Sequence, residues 1–187
     1  MNNTFISNHF DNPLLYSKDE YFMGIAIEEA KKGEGFVHPN PLVGAVIEKD
    51  GKILARGYHH KYGLFHAERD ALKNAEDSGQ NVKGATIYVT LEPCCHQGKQ
   101  PPCTDAIIRS GINRVVIGSA DPNPLVNGKG IAKLKNAGIE VTEGVLKEKC
   151  DSINQVFFHY VKNKSPYVIL KYACTVDGKT ALSSGKC

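Results

Sequence analysis

Several things are missing from this chain of 187 residues, and each absence closes off a class of protein. No apolar run reaches the ~20 residues that a membrane-crossing helix needs, the longest being strand-sized. The N-terminal segment MNNTFISNHFDNPLLYSKDE has neither a charged n-region nor an apolar h-region, so nothing directs the chain to an oxidising compartment. The six cysteines are therefore expected as reduced thiols in a cytoplasmic protein rather than as a disulfide framework. No run of five basic residues occurs, and 23 Lys and Arg are interspersed with 20 Asp and Glu for a net charge of +3. That balance speaks against nucleic acid as a partner and for a small molecule. Internal repeats and low-complexity tracts are also absent.

The length and the 41% hydrophobic content suffice for one well-buried α/β core with extensions. Residues 1–17 are polar and aperiodic, which predicts a flexible tail, with Ser17 as the N-cap of the first helix. Over 18–32, apolar side chains at Tyr21, Phe22, Ile25, Ala26 and Ala30 follow helical spacing until Gly33 and Gly35 stop it. Two strands over 41–47 and 53–58 flank Asp50-Gly51, a tight-turn dipeptide, and predict a hairpin. The pattern then alternates: helix 67–75, strand 86–91, helix 104–110, strand 114–119, helix 130–137, strand 139–142. This alternation predicts a three-layer α/β/α fold around a central mixed sheet. A last amphipathic helix over 150–162 leads into a Val/Ile/Tyr-rich strand over 167–174, which has no sheet of its own. The expected organisation is a tail (1–17), a main domain (18–150), and a linker helix with the first strand of a second, truncated domain (151–187).

The chemistry gathers at His66-Ala67-Glu68, where a helix begins, and at Pro93-Cys94 with Cys103 further on. One imidazole and two thiolates fill three of zinc's four tetrahedral positions. The fourth stays open for a water whose pKa the metal lowers to roughly 7. Glu68, two residues past His66, is near the metal without being a ligand, and can take the water's proton and pass it to a leaving amine. His-Ala-Glu alone is as well explained by helix capping, since a carboxylate in the first turn is favoured by the helix dipole. Only the joint pattern with the two cysteines argues for a metal.

His66-Ala-Glu68 followed by Thr90-Leu-Glu-Pro-Cys94-Cys-His-Gln-Gly-Lys-Gln-Pro-Pro-Cys103 resembles the cytidine deaminase superfamily, and within it the bifunctional riboflavin-biosynthesis deaminase/reductase branch. Eight residues separate Cys94 from Cys103, as in that branch, where other superfamily members space their cysteines as Pro-Cys-x-x-Cys. Asn40-Pro-Leu-Val-Gly44, Gly57-Tyr-His-His-Lys-Tyr-Gly63 and Asp121-Pro-Asn-Pro-Leu-Val-Asn-Gly-Lys-Gly130 resemble further segments of it, so the likeness covers about 18–150. It implies zinc on His66, Cys94 and Cys103, Glu68 as proton carrier, and a pocket lined by Asn40, His59, His96, Lys99, Asp121 and Asn123. Lys99 would meet a ribose phosphate as a point charge. The implied reaction deaminates 2,5-diamino-6-ribosylamino-4(3H)-pyrimidinone 5′-phosphate. In the same resemblance, residues 167–181 correspond to the start of the reductase half, where Ala173 would lie near NADPH. Some twenty residues cannot make a domain that ordinarily needs roughly 100 or more, so reductase activity is not expected of this chain. A homo-oligomer is expected.

The branch commonly carries Ser after its first ligand cysteine, where this chain has Cys95; Cys94 is preferred as the ligand because it follows Pro93. Two other readings stay open: a nucleic-acid deaminase, which would need a basic and aromatic groove, and a structural zinc module closed by His96 or Cys95 as fourth ligand. His60, Cys150, Cys174 and Cys187 are read as having no role at the site.

Overall fold

A computed structural model describes residues 16–97, 100–123, 126–181 and 184–185. Helix α1 (Lys18–Lys31) begins at Ser17, whose hydroxyl accepts from Glu20 N while the Glu20 carboxylate accepts from Ser17 N. This reciprocal capping box uses two of the donors that a helix start leaves open. Strands β1 (Gly44–Lys49) and β2 (Lys52–Tyr58) pair antiparallel around Asp50 and Gly51, at φ 54° and 79°. Both turn residues sit in the left-handed region, which an Asp-Gly pair tolerates.

Then follow α2 (Ala67–Asp77), β3 (Thr86–Leu91), α3 (Cys103–Ser110), β4 (Arg114–Ser119), α4 (Lys129–Asn136), β5 (Glu140–Glu143), α5 (Lys147–Ser152) and α6 (Gln155–Asn163). The sheet runs in the order β2-β1-β3-β4-β5. β1 is antiparallel to both β2 and β3, whereas β3, β4 and β5 are mutually parallel. The mixed sheet and its helices on both faces are the three-layer arrangement that the alternation predicts.

Strand side chains point alternately to opposite faces, and the core divides accordingly. Ala45, Ile47, Ile87, Val89, Val115 and Ile117 pack with Ala67 and Ala71 of α2, Ile107 of α3 and Leu134 of α4. On the other face Val46, Tyr88 and Val116 pack with Phe22, Met23 and Ala26 of α1 and with Cys150. Arg114 fixes the start of α1 over β3 and β4, donating to both Asp19 oxygens at 2.8 and 2.7 Å, and the Tyr88 hydroxyl donates to Asp19 at 3.1 Å.

Two expectations change. The single helix over 150–162 is two helices, α5 and α6. The break falls at Asn154, whose side-chain amide grips the backbone of Leu42 twice: Leu42 N donates to Oδ1 and Nδ2 donates to Leu42 O, each at 2.8 Å. An Asn prefers such backbone bonds to the helix interior, and here they tie α6 to the segment before β1. Residues 167–174, expected as a strand, join no sheet among the described residues, and Val168, Ile169 and Leu170 are exposed. A strand without a neighbour has no ladder to complete.

Two glycines set how closely helices lie on the sheet. A Cβ on Gly44 would fall 2.0 Å from Ala26 O, and one on Gly57 would fall 2.3 Å from Ala71 N. Gly57→Ala is expected to push α2 off β2 and destabilise the fold by about 1–3 kcal/mol, the usual cost of overpacking, with more if the backbone cannot shift. Urea unfolding measures this; an unchanged midpoint would show that α2 is not held so tightly.

Candidate metal centre and its cavity

The three proposed ligands come from three chain segments that the sheet brings to one end. His66 is the N-cap of α2, yet its side chain makes no capping hydrogen bond. The imidazole is directed instead to the thiols, with Nδ1 3.5 Å from both Cys94 Sγ and Cys103 Sγ. Cys94 lies just past β3, and Cys103 opens α3, its backbone N–H donating to Cys94 Sγ at 3.4 Å. All three donor atoms lie within 4.8 Å of one another. A tetrahedral zinc with bonds of ~2.05 Å to nitrogen and ~2.3 Å to sulfur sets N and S about 3.6 Å apart, so the cluster suits that ion in both donor type and spacing. Among the described residues neither Cys95 nor His96 joins it.

Electrostatics couple the cluster tightly. The Cys103 thiol donating to it, and His66 beside it, push Cys94 down to about 4, whereas the same partnership and burial raise Cys103. His66 is raised, chiefly by its bond to Cys94. Glu68, the second residue of α2, is 3% exposed, and burial followed by the neighbouring Cys94 charge pushes its carboxyl up to about 6. A buried carboxyl beside the donor cluster is placed to exchange a proton with a group held there.

A cavity of about 190 Å³ opens beside the cluster, lined by Asn40, His59, His66, Glu68, Cys94, His96, Asp121 and Asn123 among others. All the described residues expected at the metal or in the deaminase pocket therefore meet in one place. Lys99 lies outside the described residues. Ala173 is exposed and lines neither this cavity nor the adjoining hollow of about 230 Å³ bounded by Tyr62 and Gln100. His60 stays apart, stacked on Tyr58 and facing Asp70 at 3.0 Å.

His59 is oriented by the backbone. Its Nδ1 can only donate to Phe65 O, 2.8 Å away, so Nε2 carries the lone pair and accepts from Asn40 Nδ2 at 3.0 Å. Burial lowers the His59 pKa and favours this neutral form. The consequence reaches Asn40, one of whose two amide N–H groups is committed to His59 while its Oδ1 is left as an acceptor.

Two residues escaped sequence reasoning. Glu92, buried at 3%, accepts from four backbone N–H groups: Asp121 and Gly128 at Oε2, Gly130 and Ile131 at Oε1, over 3.0 to 3.4 Å. It thereby fastens the segment carrying Asp121 and Asn123, and the start of α4, to the strand end that carries Cys94. Its place two residues before Cys94 was the available signal. Phe157 of α6 also lines the cavity, although its helical spacing reads only as an amphipathic face.

Residues 16–119 match the family described as the cytidine and deoxycytidylate deaminase zinc-binding region. The chain is 56% identical over 165 residues to riboflavin biosynthesis protein RibD of Actinobacillus pleuropneumoniae, covering 88% of this chain and 43% of that protein. It is also 56% identical to RibD of Aquifex aeolicus, covering 89% and 46%. A solved structure of a diaminohydroxyphosphoribosylaminopyrimidine deaminase/5-amino-6-(5-phosphoribosylamino)uracil reductase from Thermotoga maritima superposes with a TM-score of 0.87 at 55% identity, over 90% of this chain and 48% of that one. The chain thus spans under half the length of these relatives. The fold, the His/Cys/Cys cluster and the match across 16–119 agree, and the chain belongs to the cytidine and deoxycytidylate deaminase zinc-binding family.

Proposed function

We propose that this chain is a zinc-dependent deaminase that converts 2,5-diamino-6-ribosylamino-4(3H)-pyrimidinone 5′-phosphate and water to 5-amino-6-(5-phosphoribosylamino)uracil and ammonia. The observation that carries this reading is a three-donor cluster, His66, Cys94 and Cys103, beside a cavity that also holds the buried Glu68. A structural site would use a fourth protein ligand, and neither candidate for it, Cys95 or His96, belongs to the cluster. The choice of substrate draws on the named activity of the Thermotoga maritima relative.

Bound zinc supplies a Lewis acid that makes water nucleophilic near neutral pH. The protein's part is proton management and placement. Glu68 takes a proton from the attacking water and delivers it to the amine nitrogen, so that ammonia rather than an amide anion departs. Asn40 offers Oδ1 to an N–H of the ring, an orientation held by neutral His59. Asp121 and Asn123 complete the polar lining, and Asp121 is itself stiffened by accepting from Asn123 N at 2.8 Å. Lys99 is assigned to the ribose phosphate.

Because Phe157 lines the cavity and Asn154 ties α6 to Leu42, we take the deaminase unit to run through α6 rather than to end at 150. Ala173 has no role in this reaction, and NADPH is not a cofactor of the activity proposed. No helix among the described residues is long and apolar enough to cross a membrane, and the described cysteines are unpaired, in keeping with a cytoplasmic small-molecule enzyme. A homo-oligomer is part of the same proposal.

Ammonia release from the diaminopyrimidine phosphate by the purified, zinc-loaded chain tests the whole reading, and a zinc-replete protein inert to it would remove the substrate assignment. Cys94→Ala or Cys103→Ala should strip the metal, whereas Cys95→Ser should keep it; elemental analysis showing equal zinc loss in all three would reassign the ligands.

Glu68→Gln keeps the shape of the side chain but cannot relay a proton. It should retain zinc and substrate binding while turnover falls roughly 10²- to 10⁴-fold, and near-normal ammonia release would take Glu68 out of the mechanism.

Lys99→Ala should cost about 1.5–3 kcal/mol in kcat/KM with the phosphorylated substrate, the worth of a charge-assisted hydrogen bond. The same change should matter little with a dephosphorylated analogue. Losses that simply add across the two changes would mean that Lys99 does not touch the phosphate.

A further inference from the structure

We infer that Phe157 is the apolar wall against which the pyrimidine ring lies, and that Asn154 is the positioning residue that holds this wall in place. The inference deepens the proposed deaminase reading and rests on it. Among the described residues that line the cavity, Phe157 contributes the one benzene ring; the rest of the lining joins polar side chains such as Asn40, His59 and Asp121 to aliphatic ones from Pro41, Val43, Leu91 and Val126. A heteroaromatic ring that presents hydrogen-bonding edges to Asn40 and Asp121 still has two faces to bury, and an aromatic side chain buries such a face with little ordering cost.

The location of Phe157 supports this role. The same residue, with Asn40, also lines a second, outer groove of about 880 Å³ that runs between residues 34–42 and α6, so its ring lies on the boundary between the two spaces. Removing the ring would join the two spaces and admit water to the reacting centre, where its exclusion strengthens each polar contact. No residue of α6 is buried, so α6 is not held by core packing. Its tether is Asn154, directly before it, whose paired bonds to Leu42 N and O at 2.8 Å register the helix against the segment that bears Asn40. One amide thus couples the ring wall and the polar edge reader, which lie on chain segments more than a hundred residues apart.

The test uses the zinc-loaded full chain and its Phe157→Ala, Phe157→Leu, Phe157→Tyr and Asn154→Ala variants, with ammonia release followed on the diaminopyrimidine phosphate, dCMP, cytidine and cytosine. Since α6 buries nothing fully, Phe157→Ala should keep its zinc content and melting temperature, while KM for the accepted pyrimidine rises roughly five- to a hundredfold, the span of one base–aromatic contact. Phe157→Tyr should restore most of the loss and Phe157→Leu only part of it. Asn154→Ala should raise KM in the same direction, also with zinc intact. A KM within twofold of wild type for Phe157→Ala overturns the wall while leaving the deaminase assignment standing. Turnover of a different pyrimidine with the same Phe157 dependence overturns the substrate assignment and keeps the wall. Failure of the wild type to turn over or bind any of the four overturns both.

Discussion

The constraint on which the site depends is the closeness of α2 to β2. Backbone atoms of Ala67 and Ala71 approach Gly57 so nearly that no side chain fits between them. That approach sets the depth at which α2 begins, and its N-cap is His66 and its second residue Glu68. A helix held further from the sheet would lift the imidazole from the two thiols, and a cluster with donor spacings near 3.5 Å has little tolerance for displacement. The buried alanines on the same face, Ala67, Ala71 and Ala75, serve this approach as well. Small residues on the sheet side of α2 are thus part of the metal centre's design, although none touches a metal.

The sheet topology supplies the other two donors. β3 is central, flanked by β1 and β4, and its parallel pairing with β4 requires the chain to cross back over the sheet. The crossover begins at the end of β3, and the loop between Cys94 and Cys103 is its first stretch before α3. Ligands at the carboxyl end of a central strand and at the start of the following helix are held from two sides, one by the hydrogen-bonded ladder and one by core packing through Ile107. The same end of the sheet receives Asp121 and Asn123 after β4, so cavity and cluster share one rim.

Much of this was legible in the sequence because it is local. Ser17 and Glu20, the Asp50-Gly51 turn, and the alternation of β3 and β4 each state their conformation within a few residues. The ligand spacing did the same for the cluster. What stayed hidden was carried by contacts between distant segments. Asn154 reads as an ordinary helical polar residue until Leu42 is found across from it. Phe157 reads as part of an amphipathic stripe, because periodicity gives the face of a helix but not what that face meets. The strand expected over 167–174 has the right composition, but composition cannot supply a neighbour.

Glu92 shows how the two halves of the site are joined. A buried carboxylate normally calls for a cation, yet each oxygen here is satisfied by two backbone N–H groups, two of them at the start of α4 where the helix dipole adds to the attraction. Since the donors belong to the main chain, the interaction fixes backbone rather than side chain, and it fixes the segment of Asp121 and Asn123 to the residue that leads into Pro93 and Cys94. Metal side and substrate side are therefore registered to each other through one side chain that lies between them, without a mobile Lys or Arg. Gly130 completes the arrangement: a Cβ there would lie 2.3 Å from Pro93 O, so only glycine lets the start of α4 come close enough for its N–H to reach the carboxylate. The distance from the metal cluster to the pocket's polar groups is accordingly a property of backbone packing, and this is what a reaction needs when the amine-bearing carbon must be placed against the metal centre to within a fraction of an ångström.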